Sequence, residues 1–217
     1  MNIDESLKSY IETTILPQYE HNIGGHDINH INFVIDRSFE LMNEFSLNLN
    51  PNMVYTIASY HDIGYQKDPD NHEKVSADMF QKDKKIQEFF IPEEVKIIYE
   101  AIIDHRASLE YEARSIYGKL VSSADREISA ERMLTRSFLY QQDKHAAESP
   151  SVEEIIAYSY KKLSSKYGKG GYAKMYYPDT KYLEFISTME TLTSDFKLFR
   201  EKELELATTK KLIKQKQ

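Results

Sequence analysis

The chain has 217 residues, which suits one sizeable domain, and its 41% hydrophobic and 29% charged residues are typical of a globular protein. A formal net charge of −7 argues against a nucleic acid polymer as partner, because an acidic surface repels the phosphate backbone. Cysteine is absent, which excludes disulfides, thiolate zinc sites and thiol nucleophiles, so any bound metal must be held by nitrogen and oxygen.

Apolar residues recur at helical spacing along most of the chain, and no run keeps the alternation of a strand for long. The sequence therefore predicts an all-α fold, a helical bundle forming a single domain over residues 1–217. The N-terminus shows no basic leader followed by an apolar run, and no window approaches the roughly 18 apolar residues of a membrane span. We expect a soluble cytoplasmic protein that does not act at a membrane.

The first predicted helix follows Gly24-Gly25 and takes Asp27 as its N-cap. Its apolar stripe consists of Ile28, Ile31, Ile35, Phe39 and Met42. His30 lies at the edge of that stripe, where a side chain can face a pocket while its neighbours fill the core. Taken alone, His30 also fits a partly buried histidine with no ligand role.

Pro51 suits the first turn of a second helix, and Gly64 is predicted to end it. The core stripe of this helix is Val54, Ile57, Ala58 and His61. Asp62 follows directly, and an ionised carboxylate at the end of an apolar helix is costly to bury without a partner. The pair His61-Asp62 therefore indicates a functional site.

A third helix is predicted to begin at Asp70, with Glu73 three residues on in a capping-box pattern and His72 in its first turn. Two roles stay open for Glu73: the capping box, or the orientation of a water molecule or of His72. The alternative for His72 is a plain N-terminal helix residue.

A fourth helix begins at Pro92, and its stripe continues into His105, which also fits a C-terminal residue favoured by the helix dipole. The stripe is Val95, Ile98, Tyr99 and Ile102. A fifth helix, predicted around residues 116–128, places Val121 and Asp125 one turn apart. Asp125 also fits a pairing near Arg126 or the cap of a following helix.

Longer amphipathic segments follow at about 129–143, 151–166 and 180–206, with Gly168–Gly171 as a helix break and the only candidate hinge. The last segment is apolar enough to pack on the core or on a second subunit, so a homo-oligomer is one alternative. Residues 210–217 form a basic tail, for which we expect a solvated terminus.

Six side chains form the predicted metal site: His30, His61, Asp62, His72, His105 and Asp125. Imidazole and carboxylate together suit Zn, Fe, Mn, Co or Ni. Four of these ligands, from His30, His61, Asp62 and Asp125, would leave open coordination positions for water and a substrate oxygen. Since a bound cation ionises such a water and stabilises phosphate oxygens, phosphoester hydrolysis through a metal-bound hydroxide is predicted, with His61 and Asp62 as the catalytic pair.

Four blocks, in this order, resemble the HD-domain metal-dependent phosphohydrolase superfamily: His26-Asp27-Ile28-Asn29-His30, Ala58-Ser59-Tyr60-His61-Asp62-Ile63-Gly64, His72-Glu73 with Ser76-Ala77, and Ser123-Ala124-Asp125-Arg126. The resemblance covers about residues 20–130, followed by a helical extension at about 131–209. It implies one metal held by the four ligands above.

Some members of this superfamily carry two further histidines and resemble a two-metal version of the site. His72 and His105 stand where those histidines would be. The implied cofactor is one or two divalent ions of Mn, Fe, Co, Ni, Mg or Zn. The chain also departs from its relatives, many of which carry arginine where it has Phe33, and Arg37 is a candidate substitute. Tyr65 disfavours both the alarmone-cleaving and the cyclic-dinucleotide subfamilies.

Three residues are candidates for substrate binding. Arg106 and Lys67 are predicted to meet substrate phosphates, because a guanidinium can grip two oxygens at once, although solvated surface charges are the alternative. His26 shares a helix face with His30 and is predicted to touch substrate, whereas the alternative is a loop histidine beside an N-cap.

The leading functional hypothesis is a phosphohydrolase acting on a nucleotide or another small phosphoester. A di-iron oxygenase is the first alternative, and it would require both His72 and His105. The second alternative is a non-catalytic module in which a metal only joins helices.

Overall fold

A computed structural model describes residues 2–20 and 26–213. Gly24 and Gly25 and the end of the basic tail lie outside the described residues. Within these ranges the regular structure is entirely helical, with eleven α-helices and no strand, which confirms the predicted all-α fold. No helix in the described part of the chain is long and apolar enough to cross a membrane.

The chain divides into two compact units. The N-terminal unit comprises Met1–Arg126 together with Lys174–Asp179, and the C-terminal unit comprises Glu127–Ala173 with Thr180–Gln217. A single domain over residues 1–217 stays a prediction.

The N-terminal unit contains seven α-helices: α1 (Glu5–Tyr10), α2 (Ile28–Glu44), α3 (Pro51–Tyr60), α4 (His72–Lys82), α5 (Lys84–Gln87), α6 (Pro92–Ile103) and α7 (Ile116–Ala124). A π-helical turn at Ile11–Ile15 and a 3-10 turn at Leu16–Tyr19 follow α1. The short helices α1 and α5 were not among the predicted elements.

Helix α3 is the centre of this unit, packed against α2, α4, α6 and α7. All its residues from Met53 to Tyr60 are buried, including Thr56 and Ser59, so burial extends beyond the predicted stripe of Val54, Ile57 and Ala58. Its first turn carries Pro51, as predicted, and the Asn50 side chain caps it by accepting the N–H of Asn52.

The predicted start of α2 is confirmed, because the Asp27 carboxylate accepts the backbone N–H groups of Asn29 and His30. The predicted start of α4 at Asp70 is wrong, since this helix begins at His72. The Asp68 carboxylate instead accepts the N–H groups of Asp70 and Asn71 in a side-chain turn. The capping box of Asp70 and Glu73 does not form.

Two predicted helix ends are also wrong. Helix α7 ends at Ala124 rather than residue 128, and α3 ends at Tyr60 rather than at Gly64. Gly64 lies in the following turns, where its N–H donates to Ser76 Oγ at 2.9 Å. A Cβ on Gly64 would lie 2.6 Å from the backbone nitrogen of Ser76 and 2.9 Å from the His72 carbonyl oxygen. Glycine is needed here for close approach to α4 rather than to end a helix.

The C-terminal unit contains α8 (Ala130–Lys144), α9 (Val152–Tyr167), α10 (Thr180–Ser194) and α11 (Phe196–Thr209), with a 3-10 turn at Ala146–Glu148. Ser129 and Ser151 cap α8 and α9, close to the predicted starts, and Gly168 follows α9 as the predicted break. The segment 180–206 is two helices rather than one. The helix is interrupted at Asp195, whose side chain accepts the N–H of Leu198 and so caps α11.

Candidate metal centre

All six predicted ligands lie at helix ends of the N-terminal unit. His30 is in the first turn of α2, His61 and Asp62 follow α3, His72 opens α4, His105 lies just beyond α6, and Asp125 caps the end of α7. The apolar stripes of these helices fill the core, so the polar residue at each end is turned toward its neighbours. Helix packing thereby brings residues up to 95 positions apart in sequence into one buried cluster.

The first group of donor atoms, called position A, consists of Nε2 of His30, Nε2 of His61, Oδ1 of Asp125 and Oδ2 of Asp62. His30 Nε2 lies 3.1 Å from the Asp125 oxygen and 3.4 Å from the Asp62 oxygen. His61 Nε2 lies 3.2 Å from the same Asp62 oxygen and 3.4 Å from His30 Nε2. These are the four residues predicted to bind one metal.

The second group, called position B, consists of the other Asp62 oxygen, Oδ1, with Nε2 of His72 and Nε2 of His105. The Asp62 oxygen lies 3.3 Å from His72 and 3.4 Å from His105, and the two ring nitrogens are 3.2 Å apart. Asp62 therefore presents one oxygen to each position, as a carboxylate that bridges two cations does.

Backbone carbonyls assign the tautomers of three of these histidines. Nδ1 lies 2.8 Å from the Ala58 carbonyl oxygen in His61, 2.9 Å from that of Pro69 in His72, and 2.6 Å from that of Ile102 in His105. Since a carbonyl only accepts, Nδ1 must carry the hydrogen, and Nε2 of the neutral ring then presents a lone pair. This arrangement orients histidines that bind metals through Nε2.

Two facing lone pairs cannot hydrogen-bond to each other, so the contact between His72 and His105 lacks a donor when both rings are neutral. A shared cation supplies the missing positive partner for both rings. His105 and Asp62 are almost completely buried, each at 1% exposure, so bulk water has little access to this contact. The donor set of imidazole nitrogens and carboxylate oxygens thus fits a divalent cation at each position.

The charges agree with this fit. Burial raises the pKa of Asp62, but the neighbouring His61 and His26 rings more than offset it and hold the pKa well below the usual range. Burial likewise acts on Asp125, whose pKa is lowered by its hydrogen bond to His30 and the charge of Arg126. Both carboxylates are therefore ionised in a buried site.

The histidine rings respond to these carboxylates. Burial lowers the pKa of His30, but hydrogen bonds to Asp125 and Asp62 raise it to about 9. Burial also lowers the pKa of His105, but the hydrogen bond to Asp62 more than offsets this and the pKa is raised. The pKa of His72 is lowered, by burial and by the adjacent His105. A proton on His30 balances the carboxylates when no metal is bound, and a metal must displace it.

His26 reaches the cluster as well. Its Nδ1 lies 2.6 Å from Asp62 Oδ2, and its ring stacks on Tyr65 with centroids 3.8 Å apart. With a side chain 22% exposed, His26 stands at the outer edge of position A. Its proposed contact with substrate stays a prediction.

The other two residues expected to bind substrate lie beside α4. Arg106 donates to the Asp70 carbonyl at 2.7 Å and to Glu73 at 3.0 Å, so Glu73 pairs with an arginine. Lys67 is exposed, with its ammonium 3.4 Å from Met79 Sδ. Phosphate binding by Arg106 and Lys67 stays a prediction.

Arg37 does not point to the metal positions. It is buried, with Nη2 2.5 Å from Asp179 Oδ1 and Nη1 3.1 Å from Glu40. These ion pairs give no support to Arg37 as a substitute for the arginine of related proteins. The segment that supplies Asp179 was not predicted, because residues 174–179 show no helical or strand period.

Comparison with protein families finds one match, in which residues 27–129 fit the model of the HD domain. The matched range contains all six ligands of positions A and B. Comparison with curated proteins and with solved structures finds no significant match.

Proposed function

Since this chain carries an HD domain over residues 27–129, we propose that it is a metal-dependent phosphohydrolase acting on a nucleotide or another small phosphoester. The observation that carries the proposal is the pair of donor clusters that share Asp62, with one oxygen facing each cluster. Two cations held in this way suit phosphoester cleavage because they stabilise both the attacking and the leaving oxygen.

A bound divalent cation supplies positive charge for phosphate oxygens and lowers the pKa of a water molecule. The residues of the chain do the rest. Asp62 holds the two positions at a fixed separation, and the carbonyls behind His61, His72 and His105 keep the rings aimed inward. The buried side of the cluster excludes water from the ligands.

Access to the cluster is from one side. Asp125 and His30 have side chains 17% and 10% exposed, and His26 is more open, whereas His61 and His105 are buried. A substrate therefore approaches over Asp125 and His26. Tyr65, stacked on His26, is placed to contact the part of the substrate that does not react.

The test is phosphate release from a panel of nucleotides and sugar phosphates, with Mn²⁺, Co²⁺ or Ni²⁺ added to metal-free protein. We expect turnover that depends on the metal and is lost in Asp62→Ala. Asp83→Asn is the matched control, because Asp83 accepts hydroxyls from Tyr10 and Tyr60 and is not one of the six ligands. Metal binding without hydrolysis of any ester, with Asp62→Ala changing stability alone, would contradict the proposal and favour a non-catalytic module.

A di-iron oxygenase is a second candidate, and the presence of both His72 and His105 at position B favours keeping it. Oxygen uptake with about two irons per chain would support this candidate over the hydrolase. A single bound ion per chain would exclude it.

A further inference from the structure

We propose that residues Lys174–Asp179, here called the strap, position the metal ligands by holding the elements that carry them. This inference rests on the proposed function. The strap lies between Ala173 and Thr180, which both belong to the C-terminal unit, yet it is part of the N-terminal unit. It also lies beyond the residues that match the HD domain. The metal-binding unit is therefore completed by a segment from later in the chain.

The first anchor of the strap is Ser123, near the end of α7. Ser123 Oγ accepts the backbone N–H groups of Tyr176 at 3.1 Å and Tyr177 at 3.3 Å, while it donates to the Lys119 carbonyl at 2.8 Å. Asp125 follows two residues later. By fixing the last turn of α7, this anchor fixes the direction in which Asp125 faces position A.

The second anchor is the loop that follows His105. The Lys174 ammonium donates to the carbonyls of Leu109 and Tyr111, the latter at 2.8 Å. The Tyr176 hydroxyl accepts the N–H of Ala113 at 3.0 Å. This loop has no helix of its own between α6 and α7, so the strap supplies partners that its backbone would otherwise take from water.

The third anchor is Arg37 on α2, two turns after His30. Arg37 and Asp179 are both buried, at 2% and 3% exposure, and they pair at 2.5 Å. Removal of one partner of a buried ion pair is strongly destabilising, so the contact holds the strap in register. The three anchors lie on the elements that carry His30, His105 and Asp125.

The anchors are polar groups with directional requirements, and this distinguishes the strap from generic apolar packing. Ser123 and the loop carbonyls act on the ligands through one to several residues of backbone, so the strap residues are positioning residues. Outer partners of metal ligands affect metal affinity about 10–100-fold when removed. A comparable effect is expected here without any change in the ligands.

The test is calorimetric titration of the full chain with Mn²⁺, without substrate, at 25 °C. We take the first ion to bind at position A, which has four donor residues, and the second at position B, which has three. We expect Ser123→Ala to raise the dissociation constant of the first ion about tenfold, and Ser123→Thr, which keeps the hydroxyl, to restore it. Thr193→Val is the matched control, because buried Thr193 also donates its hydroxyl to a carbonyl four residues earlier but belongs to α10 of the C-terminal unit.

Lys174→Met is a second variant, which we expect to keep the fold because Lys174 is only partly buried. It frees the loop after His105, so it should weaken the second Mn²⁺ more than the first. Hydrogen exchange at residues 106–114 should become faster in Lys174→Met than in the unaltered protein.

Equal dissociation constants in Ser123→Ala, Lys174→Met and the unaltered protein, with lower melting temperatures only, would show that the strap is merely structural and would overturn the inference alone. Absence of any Mn²⁺ binding by the unaltered protein would overturn the proposed function and the inference together.

Discussion

The two units of this chain bury ionisable groups in opposite ways. The N-terminal unit brings two carboxylates and several imidazoles to one point, where their lone pairs face each other. Among its described residues the C-terminal unit buries two glutamates: Glu127, which pairs with Arg132, and Glu203 of α11. Glu203 Oε1 accepts the Ser159 hydroxyl at 2.5 Å, and its Oε2 has no hydrogen-bond partner among the described residues.

The pKa values follow this difference. Asp62 and Asp125 have lowered pKa values because imidazoles and Arg126 surround them, whereas burial raises the pKa of Glu203 to about 8. A bound cation stabilises a site where several lone pairs converge, whereas a proton stabilises a buried carboxyl group that has no cationic partner. Burial alone therefore does not mark a metal site, but convergence of acceptors does.

Substitution of Asp62 should have the largest effect, because this residue contributes to both positions. We expect Asp62→Ala to weaken metal binding by more than the roughly 100-fold seen for outer partners, and to remove both ions. Calorimetry and metal analysis of the dialysed protein measure this. If Asp62→Ala still binds one ion with unchanged affinity, the bridging role of Asp62 is wrong.

Metal removal should lower the stability of the N-terminal unit and leave that of the C-terminal unit unchanged. A ligand at 100 times its dissociation constant stabilises the state that binds it by about 2.7 kcal/mol. Added Mn²⁺ should therefore slow hydrogen exchange in α2, α3 and α7, and a chelator should reverse the effect. Helices α8, α9 and α11 serve as the internal control, and equal protection of both units would break the comparison.

Local signals predicted most of the N-terminal unit. The Asp27 cap, the apolar stripe of α2 and the pair His61-Asp62 are each legible within a few residues, and the structure places them as expected. The start of α4 was missed because the Asp68 side chain accepts the N–H groups of Asp70 and Asn71 and holds these residues in a turn that precedes the helix. Similarly, Asp195 can cap a new helix or continue the old one, and the pattern of apolar residues does not decide between them.

The site itself could be predicted as a set of residues but not as a geometry. Spacing identifies His72 and His105, whereas the assignment of each Asp62 oxygen to one pair of rings depends on how α3, α4 and α6 pack. The strap could not be predicted, since its bonds to Ser123 join residues 53 and 54 positions apart and leave no local pattern.

A smaller effect is expected at Gly64, which tests whether position B depends on the approach of the turn to α4. In Gly64→Ala the added Cβ meets the backbone of Ser76 and His72, so α4 must shift. Overpacking of this kind costs about 1–3 kcal/mol of unfolding free energy, measurable by urea denaturation. Because α4 opens with His72, Gly64→Ala should weaken binding of the second Mn²⁺ by a larger factor than binding of the first. Equal loss at both positions would mean that the shift is not confined to α4.

The smallest effect, a slope with pH, is expected in the C-terminal unit. The pKa of Glu203 is raised from 4.5 to about 8 by burial, partly offset by the Ser159 hydrogen bond. Below pH 4.5 the group is protonated whether the chain is folded or unfolded, so it costs nothing there. Between these values only the unfolded chain releases the proton, and stability must fall as the pH rises, by at most about 1.4 kcal/mol per pH unit.

Glu203→Gln should remove this slope, because the amide does not titrate, while Glu205→Gln on the same helix should keep it, since Glu205 is exposed and pairs with Lys202. Urea denaturation at pH 5.5, 6.5 and 7.5, with hydrogen exchange in α9 to identify the unit that opens, measures the difference. A slope that persists in Glu203→Gln would place its origin outside Glu203, and the contrast between a carboxyl group held by a proton and carboxylates held by a cation would then fail.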